Sequence, residues 1–338
     1  MNDLSLVSGP FINDLFPFSL IRSVADIRCG IFTIREKWLH LHTQYPLLSQ
    51  ISIPDNILPR RDLVDSLLQY GPSAFTNWPR KINNCLDILR LTGEEIRHDL
   101  EQIRSVRKSE PLSVTNKITG TDIFLEKGAV VEHCILNAAE GPIYIGRNAL
   151  VMEGAMIRGP FALGESGVVK MGSTIYGATS AGPKCVLGGE IKNSVILGYS
   201  NKAHDGYLGD SIIGEWCNLG AGTTNSNMKN SGGSVRYWNP MNKTFVDAGQ
   251  KFGILMGDHS RSAIQTSFNA GTVVGISCHM FGTGTVPPYL PSFSWGYQQE
   301  IYAFQKAMQH IERWKKFKDQ TLSPEEINQL KNIFDQQN

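Results

Sequence analysis

Apolar residues recur at every sixth position through the centre of the chain. Counted from Ile145, the series Ile145, Val151, Ile157, Leu163, Val169, Ile175, Ala181 and Leu187 is apolar throughout. A period of six is neither the 3.6 of a helix face nor the 2 of an alternating strand. It is the period of a hexapeptide solenoid, in which three short strands make one triangular coil of about 18 residues. Each aliphatic side chain then points inward and stacks on its counterpart one coil away, about 4.8 Å along the axis. After a slip of two residues the register resumes at Val195, Asn201, Tyr207, Ile213 and Leu219. It returns as Met256, Ser262, Phe268, Val274 and Met280. Of the 33 glycines, 27 lie between Gly128 and Gly284, where tight corners need them, so glycine marks the extent of the solenoid.

The flanks follow other patterns. Residues 1–110 read as a small mixed α/β region, with a helix around Thr33–His42. Thr92 to Glu95 has the form of a capping box, with Leu91 and Ile96 as its hydrophobic staple, and predicts a helix over Gly93–Arg107. Pro111 to Thr121 reads as a connector, and the coils begin near Ile123. Pro287, Pro288 and Pro291 are expected to end strand pairing after Gly284. Ile301, Phe304, Met308, Ile311, Trp314 and Phe317 then repeat at three and four, which predicts an amphipathic helix. Ser323-Pro324-Glu325-Glu326 opens a second helix with a capping box and proline at its first position. The expected organisation is 1–110, 111–286 and 287–338.

Composition narrows the function classes. A net charge of +1 gives no electrostatic case for nucleic acid. No apolar run approaches the length of roughly 18 residues that a spanning helix needs, so no membrane partner is expected. The start, MNDLSLVSGPF, lacks a basic region followed by a hydrophobic core, which predicts a cytoplasmic protein. The six cysteines are scattered without a CxxC pair, as reduced thiols would be, and suggest neither a disulfide frame nor a zinc site.

Candidate chemistry concentrates between Leu187 and Asn227. Lys192, His204, Tyr207, Asn218 and Asn227 fall within little more than two coils, so a solenoid can bring them together. Asn201 and Tyr207 also occupy positions of the six-residue register that hold aliphatics elsewhere. In that company His204 is a candidate catalytic base rather than surface decoration. A metal would need several histidines to converge. His204, His259 and His279 are not separated by whole coils, so no metal ligands are assigned. The insert Met228–Lys251 carries Arg236, Tyr237, Trp238 and Lys243, and suits a loop reaching a ligand or neighbour as well as it suits surface packing. Near the start, Arg22, Arg28, Arg35 and Lys37 could face a nucleotide phosphate. Interleaved Asp26 and Glu36 favour a salt-bridged face instead. Ser8-Gly9-Pro10 is not the Gly-rich, Arg-containing loop that cradles a triphosphate.

The strings GGEIKNS, NKAHDGYLGDSIIGEWCNLGAGT and SNMKN resemble the acetyltransferase half of the bifunctional N-acetylglucosamine-1-phosphate uridylyltransferase/glucosamine-1-phosphate N-acetyltransferase family. The chain is more similar still to that family's shorter bacterial sugar nucleotidyltransferase-like variant, and FPFSLIRSVADIRCGIFTIREKWLHLH resembles its reduced nucleotidyltransferase-like domain. The resemblance covers about half the chain. It implies a mainly β fold, a left-handed parallel β-helix, working as a homotrimer on a sugar-phosphate substrate with acetyl-CoA as cosubstrate. By motif position it implies His204 as general base, Lys192 as a phosphate ligand, and Tyr207 and Asn218 as sugar contacts. It places Ala221 and Asn227 on the acetyl-CoA side. Mg²⁺ enters only if the N-terminal region transfers nucleotides. The family's second phosphate ligand, an arginine one coil before Lys192, is missing; Thr174 lies near that position. The insert is also longer than the family's usual excursion. Sugar-1-phosphate nucleotidyl transfer by the N-terminal region, and a non-catalytic scaffold that binds a sugar nucleotide, are the competing expectations.

Overall fold

The computed structural model describes residues 4–337. Its centre is the expected parallel β-helix, three sheets wound around one aliphatic lumen. Face one has nine strands, from Ile123–Leu125 to Tyr289–Leu290. Face two has ten, from Val130–Val131 to Glu300–Ile301. Face three has six, from Lys117–Thr119 to Tyr207–Gly209. All eight residues of the first register series point inward and are at most 2% exposed. Stacked coils bury these side chains on every side, and each valine, leucine or isoleucine contributes about 1.5–3 kcal/mol relative to exposure.

The later register departs from the sequence expectation. Regular coils carry the face-one position from Ile145 to Leu163 and on to Ala181. An equal step from Ala181 would reach Tyr199. The next coil is shorter, and the residue paired above Ala181 is Ile196. The inward residues there are Ile196, Lys202 and Leu208, not Val195, Asn201 and Tyr207. The pattern rejoins the prediction at Ile213 and Leu219 and holds through Met256, Ser262, Phe268, Val274 and Met280. Val195 is buried, but against the N-terminal region outside the lumen.

Three helices belong to that region: α1 (Ile34–His42), α2 (Arg61–Tyr70) and α3 (Cys85–Val106). Thr33 caps α1 in a reciprocal capping box with Glu36. Helix α3 starts at Cys85, two turns before the predicted Gly93. Asn84 caps it by accepting the N–H groups of Leu86 and Asp87, while Thr92 lies mid-helix and donates its hydroxyl to Ile88 O at 2.7 Å. A Ser/Thr-x-x-Glu match is satisfied equally inside a helix, and here the upstream asparagine supplies the cap. Helix α3 lies along face one, where Ile96, Leu100 and Ile103 pack on Phe124, Tyr144 and Ala162. The small region and the solenoid therefore share core. Leu15, Phe16, Trp38 and Ile88 join Val195, Leu197, Ile212 and Leu255 in one apolar cluster.

The insert is an antiparallel hairpin, Arg236–Asn239 with Thr244–Asp247. It packs on its own chain: Val235, Tyr237 and Phe252 enter the shared core, and the Asn239 amide donates to Asn13 O. Strand pairing also outlasts the prolines. Tyr289–Leu290 and Ser294–Trp295 still pair in parallel with the coil below. Helices α4 (Phe304–Lys316) and α5 (Pro324–Gln337) then fold back, packing Ile311, Leu330 and Ile333 on Ile276 and Phe293. Ser323 and Glu326 form the predicted capping box. No helix among the described residues is long and apolar enough to cross a membrane.

Candidate functional site

His204 stands at the corner between faces two and three, after the strand Asn201–Lys202 and before Tyr207–Gly209. The coil beneath turns this corner on Gly188 and Gly189. A Cβ at Gly188 would collide with Ala203 O, and one at Gly189 would lie 2.7 Å from His204 O, so only glycine lets the His204 segment sit this close. The imidazole is exposed and has no hydrogen-bond or ion-pair partner among the described residues. Ala221 occupies the same corner one coil on. Its carbonyl accepts from Gln265 N at 2.7 Å, while its N–H has no acceptor among the described residues. With Gly189, Gly206 and Gly222 on successive coils, this corner is a lane of glycines beside an exposed imidazole, with the Gln265 side chain over Gly222.

A second group forms across face three. Tyr176, Lys192 and Gly209 are in register on successive coils. Tyr207 lies over Gly209, where a Cβ would collide with the phenolic oxygen. That oxygen accepts a hydrogen bond from Asn227 Nδ2 at 3.0 Å. The same amide donates to Asp210, whose other oxygen accepts from Asn193 Nδ2 at 2.7 Å. Burial and the Asp210 charge push the Tyr207 phenol well above its usual range, so it stays a protonated donor at neutral pH. The Lys192 ammonium has no partner among the described residues. Lysine, phenol and amide thus meet near the corner between faces three and one, a point-charge and hydrogen-bond set suited to an anionic group.

The neighbour of Lys192 one coil earlier is Tyr176, not Thr174, which pairs with Glu190. Arg158 follows Ile157, the partner of Ile175, and so sits a further coil away. Asn218 is on face two, apart from both groups. It pairs with Arg261 in register, and its side-chain oxygen accepts from Asn201 at 3.3 Å. Asn201 in turn accepts from Lys318 at 2.9 Å. Asn201 and Tyr207 face outward and, contrary to the sequence expectation, do not interrupt the aliphatic column; Lys202 does so. Sequence reasoning missed Lys202 and Asp210, the carboxylate that joins Asn193 to Asn227. Counting six from Ile196 rather than Val195 would have found the lysine.

The three histidines do not converge. His259 is buried at the corner between faces one and two, and His279 stacks on Trp295 on face two. Among the described residues no group of three or more His, Cys, Asp or Glu could hold a metal ion. The N-terminal cations are all engaged. Arg22 binds Asp258 and Glu215, Arg35 binds Asp26, Lys37 binds Glu95 and Asp99, and Arg28 donates to Ile31 O. The Ser8-Gly9 turn is held by the buried Asp55 carboxylate, through Ser8 Oγ at 3.2 Å and Gly9 N at 3.4 Å.

Residues 4–53 match a model described as sugar nucleotidyl transferase. The bifunctional protein GlmU of Methanocaldococcus jannaschii is 33% identical over 117 residues, 35% of this chain and 28% of that protein. The match therefore spans less than a third of that relative's length. An acetyltransferase of Escherichia coli O6:K15:H31, YaiX, is 32% identical over 176 residues, 51% of this chain and 75% of YaiX. Among solved structures, an Arabidopsis UDP-N-acetylglucosamine acyltransferase aligns at 13% identity and a TM-score of 0.32, covering 67% of this chain and 90% of that one.

Proposed function

Because the chain belongs to a GlmU-like family and is 32% identical to the uncharacterized acetyltransferase YaiX over 75% of that protein, we propose that its solenoid transfers an acetyl group from acetyl-CoA to the amine of an amino-sugar phosphate, resembling glucosamine 1-phosphate. The observation that carries this reading is the exposed, unpartnered His204 on a corner lane of glycines and Ala221, with Lys192, Tyr207 and Asn227 gathered on the adjoining face. Lys192 and the Tyr207 phenol hold the phosphate, with Asn227 fixing the phenol. His204 takes the proton of the amine as nitrogen attacks the thioester carbonyl; an imidazole suits that exchange near neutral pH. The Ala221 N–H donates to the oxyanion that develops, and collapse releases the coenzyme A thiol. The glycine corner takes the slender acyl carrier, whereas Asn227 stays with Tyr207 and Asp210 on the phosphate side.

In this reading the protein is a homotrimer. Asn218 lies on a different face from Lys192, so both reach one substrate only if neighbouring subunits contribute. Closed cyclic symmetry gives three such clefts. Exposed Ile135 and Met156 on face three are apolar surface that a neighbour would cover. Light scattering at micromolar concentration is expected to return three chains; a monomer contradicts the shared cleft.

Nucleotidyl transfer by residues 1–110, with Mg²⁺, is the second reading. A cavity of about 520 Å³ beside Gly9, Asn56, Phe75 and Lys81 favours a small-molecule site there. The Asp55 carboxylate behind the Gly9 N–H counters it, because that N–H is not free for a phosphate. The test is turnover of acetyl-CoA against a panel of amino-sugar phosphates, following thiol release. Release with at least one acceptor is expected. Silence with all of them, alongside tight binding of a sugar nucleotide, would replace the enzyme with the scaffold.

A further inference from the structure

One lysine lies inside the solenoid. Lys202 takes the column position directly above Leu187, is 2% exposed, and runs its four-carbon stem through the aliphatic lumen. Its ammonium donates to Gly188 O at 3.0 Å and to His204 O at 2.6 Å. The two carbonyls belong to stacked corner segments, one of them the His204 backbone itself. No carboxylate pairs with the ammonium among the described residues; Asp205 is the acidic group near enough to favour its charge.

A valine or leucine would serve the column better. An ion taken from water costs several kcal/mol unless its surroundings compensate, and replacing buried ions with well-packed apolar residues is often neutral or stabilising. Stability therefore does not explain the lysine. The corner offers a different reason. The segment from Ala203 to Gly206 is longer than the corner beneath it, and glycines at 188 and 189 strip away the side chains that would otherwise wedge it in place. No side chain among the described residues holds the imidazole, and the flanking carbonyls of Asp205 and Gly206 accept from Gly222 N at 3.1 Å and Glu190 N at 3.3 Å. The carbonyl of His204 itself is held from inside the wall, by Lys202.

We propose that Lys202 is a positioning residue: its ammonium ties the His204 carbonyl to the Gly188 corner and so fixes the direction in which the imidazole projects. Charge-assisted hydrogen bonds are roughly twice as strong as neutral ones, and more so in a dry lumen. Burial lowers the ammonium to about 8, which leaves it charged at neutral pH. A misplacement of about 1 Å in a reacting group costs on the order of 10²-fold in rate.

The inference rests on the acetyl-transfer reading for its kinetic consequence, but not for its structural one. Lys202→Met fills the lumen with a side chain of similar length and no charge. Its melting temperature is expected to equal or exceed that of the wild type. Its kcat for acetyl transfer is expected to fall about 10- to 100-fold, with both Michaelis constants within about 2-fold. Deuterium exchange of the Glu190 and Gly222 amides, which donate to Gly206 O and Asp205 O, is expected to quicken at least about 10-fold while the Ile157 and Val169 column is unchanged. Wild-type kinetics, or a loss of activity that follows a lower melting temperature, overturns the proposal. If the wild type turns over no acceptor, the acetyl-transfer reading fails by itself. The exchange comparison then decides Lys202 alone, and unchanged exchange at Glu190 and Gly222 sinks the clamp. Should the methionine variant not fold, Lys202→Leu, which removes the donor and suits the aliphatic column, carries the same measurements.

Discussion

The N-terminal region and the solenoid both carry basic side chains, and they use them in opposite ways. Lys37 lies between Glu95 at 2.8 Å and Asp99, and Arg60 grips the other side of Glu95. Arg22 spans Asp258 and Glu215, tying the small region to the solenoid. Lys192 and His204, in contrast, project from a rigid wall with no side-chain partner among the described residues. A cation that neutralises buried carboxylates is part of the structure and has no donor left for a phosphate. An unpaired cation on a stiff sheet costs the fold little and keeps its full capacity for a ligand. The contrast supports the proposed substrate chemistry on the solenoid, and it gives Arg22 the role of joining two units.

Four substitutions break or sharpen this contrast, from the largest expected effect to the smallest. Ile157→Asp places an unpaired charge in the aliphatic lumen, at a cost of several kcal/mol or more, and should abolish cooperative melting by circular dichroism. An unchanged melt would mean that the wall does not depend on its column. Lys37→Met removes the cation between Glu95 and Asp99 and leaves the buried Asp99 with the backbone N–H groups of Ile31 and Phe32 alone, and is expected to lower stability by about 3–5 kcal/mol in denaturant titrations. If stability holds while nucleotide binding disappears, Lys37 belongs to a ligand site and the contrast fails. Lys192→Ala should leave melting unchanged and raise the Michaelis constant for the sugar phosphate about 10-fold, equivalent to about 1.4 kcal/mol. A fall in kcat instead would assign the lysine to the transition state. Arg35→Ala removes an ion pair whose two side chains are each 39% exposed, and should cost less than about 1 kcal/mol.

How much of this the sequence declares depends on whether the relevant contact is periodic. Ile145 to Leu187 is legible because a stack of equal coils repeats the same inward choice at every sixth position. The register after Leu187 is not, because one coil shortens and a one-residue error exchanges inside for outside. That error hid Lys202, whose type argues against a lumen position. His204, Lys192 and Tyr207 were legible through their motifs, yet their division between two corners was not; it follows from coil lengths. The pairing of Arg35 with Asp26 could be read from local spacing. The pairing of Arg22 with Asp258 could not, since it joins residues 236 apart in sequence. The insert's aromatic character was visible, but its target, the core around Asn13 and Phe252, is a tertiary contact that composition does not specify.

The central claim is that an unpartnered imidazole on the solenoid corner is the base of an acetyl transfer. The most direct measurement is steady-state thiol release from acetyl-CoA with glucosamine 1-phosphate and related amino-sugar phosphates, for the wild type and His204→Ala side by side. General-base catalysis is worth about 10²- to 10⁴-fold, so kcat of the variant should fall within that range while its melting temperature, assembly and coenzyme A binding stay as in the wild type. Full turnover by His204→Ala would contradict the claim and place the base elsewhere.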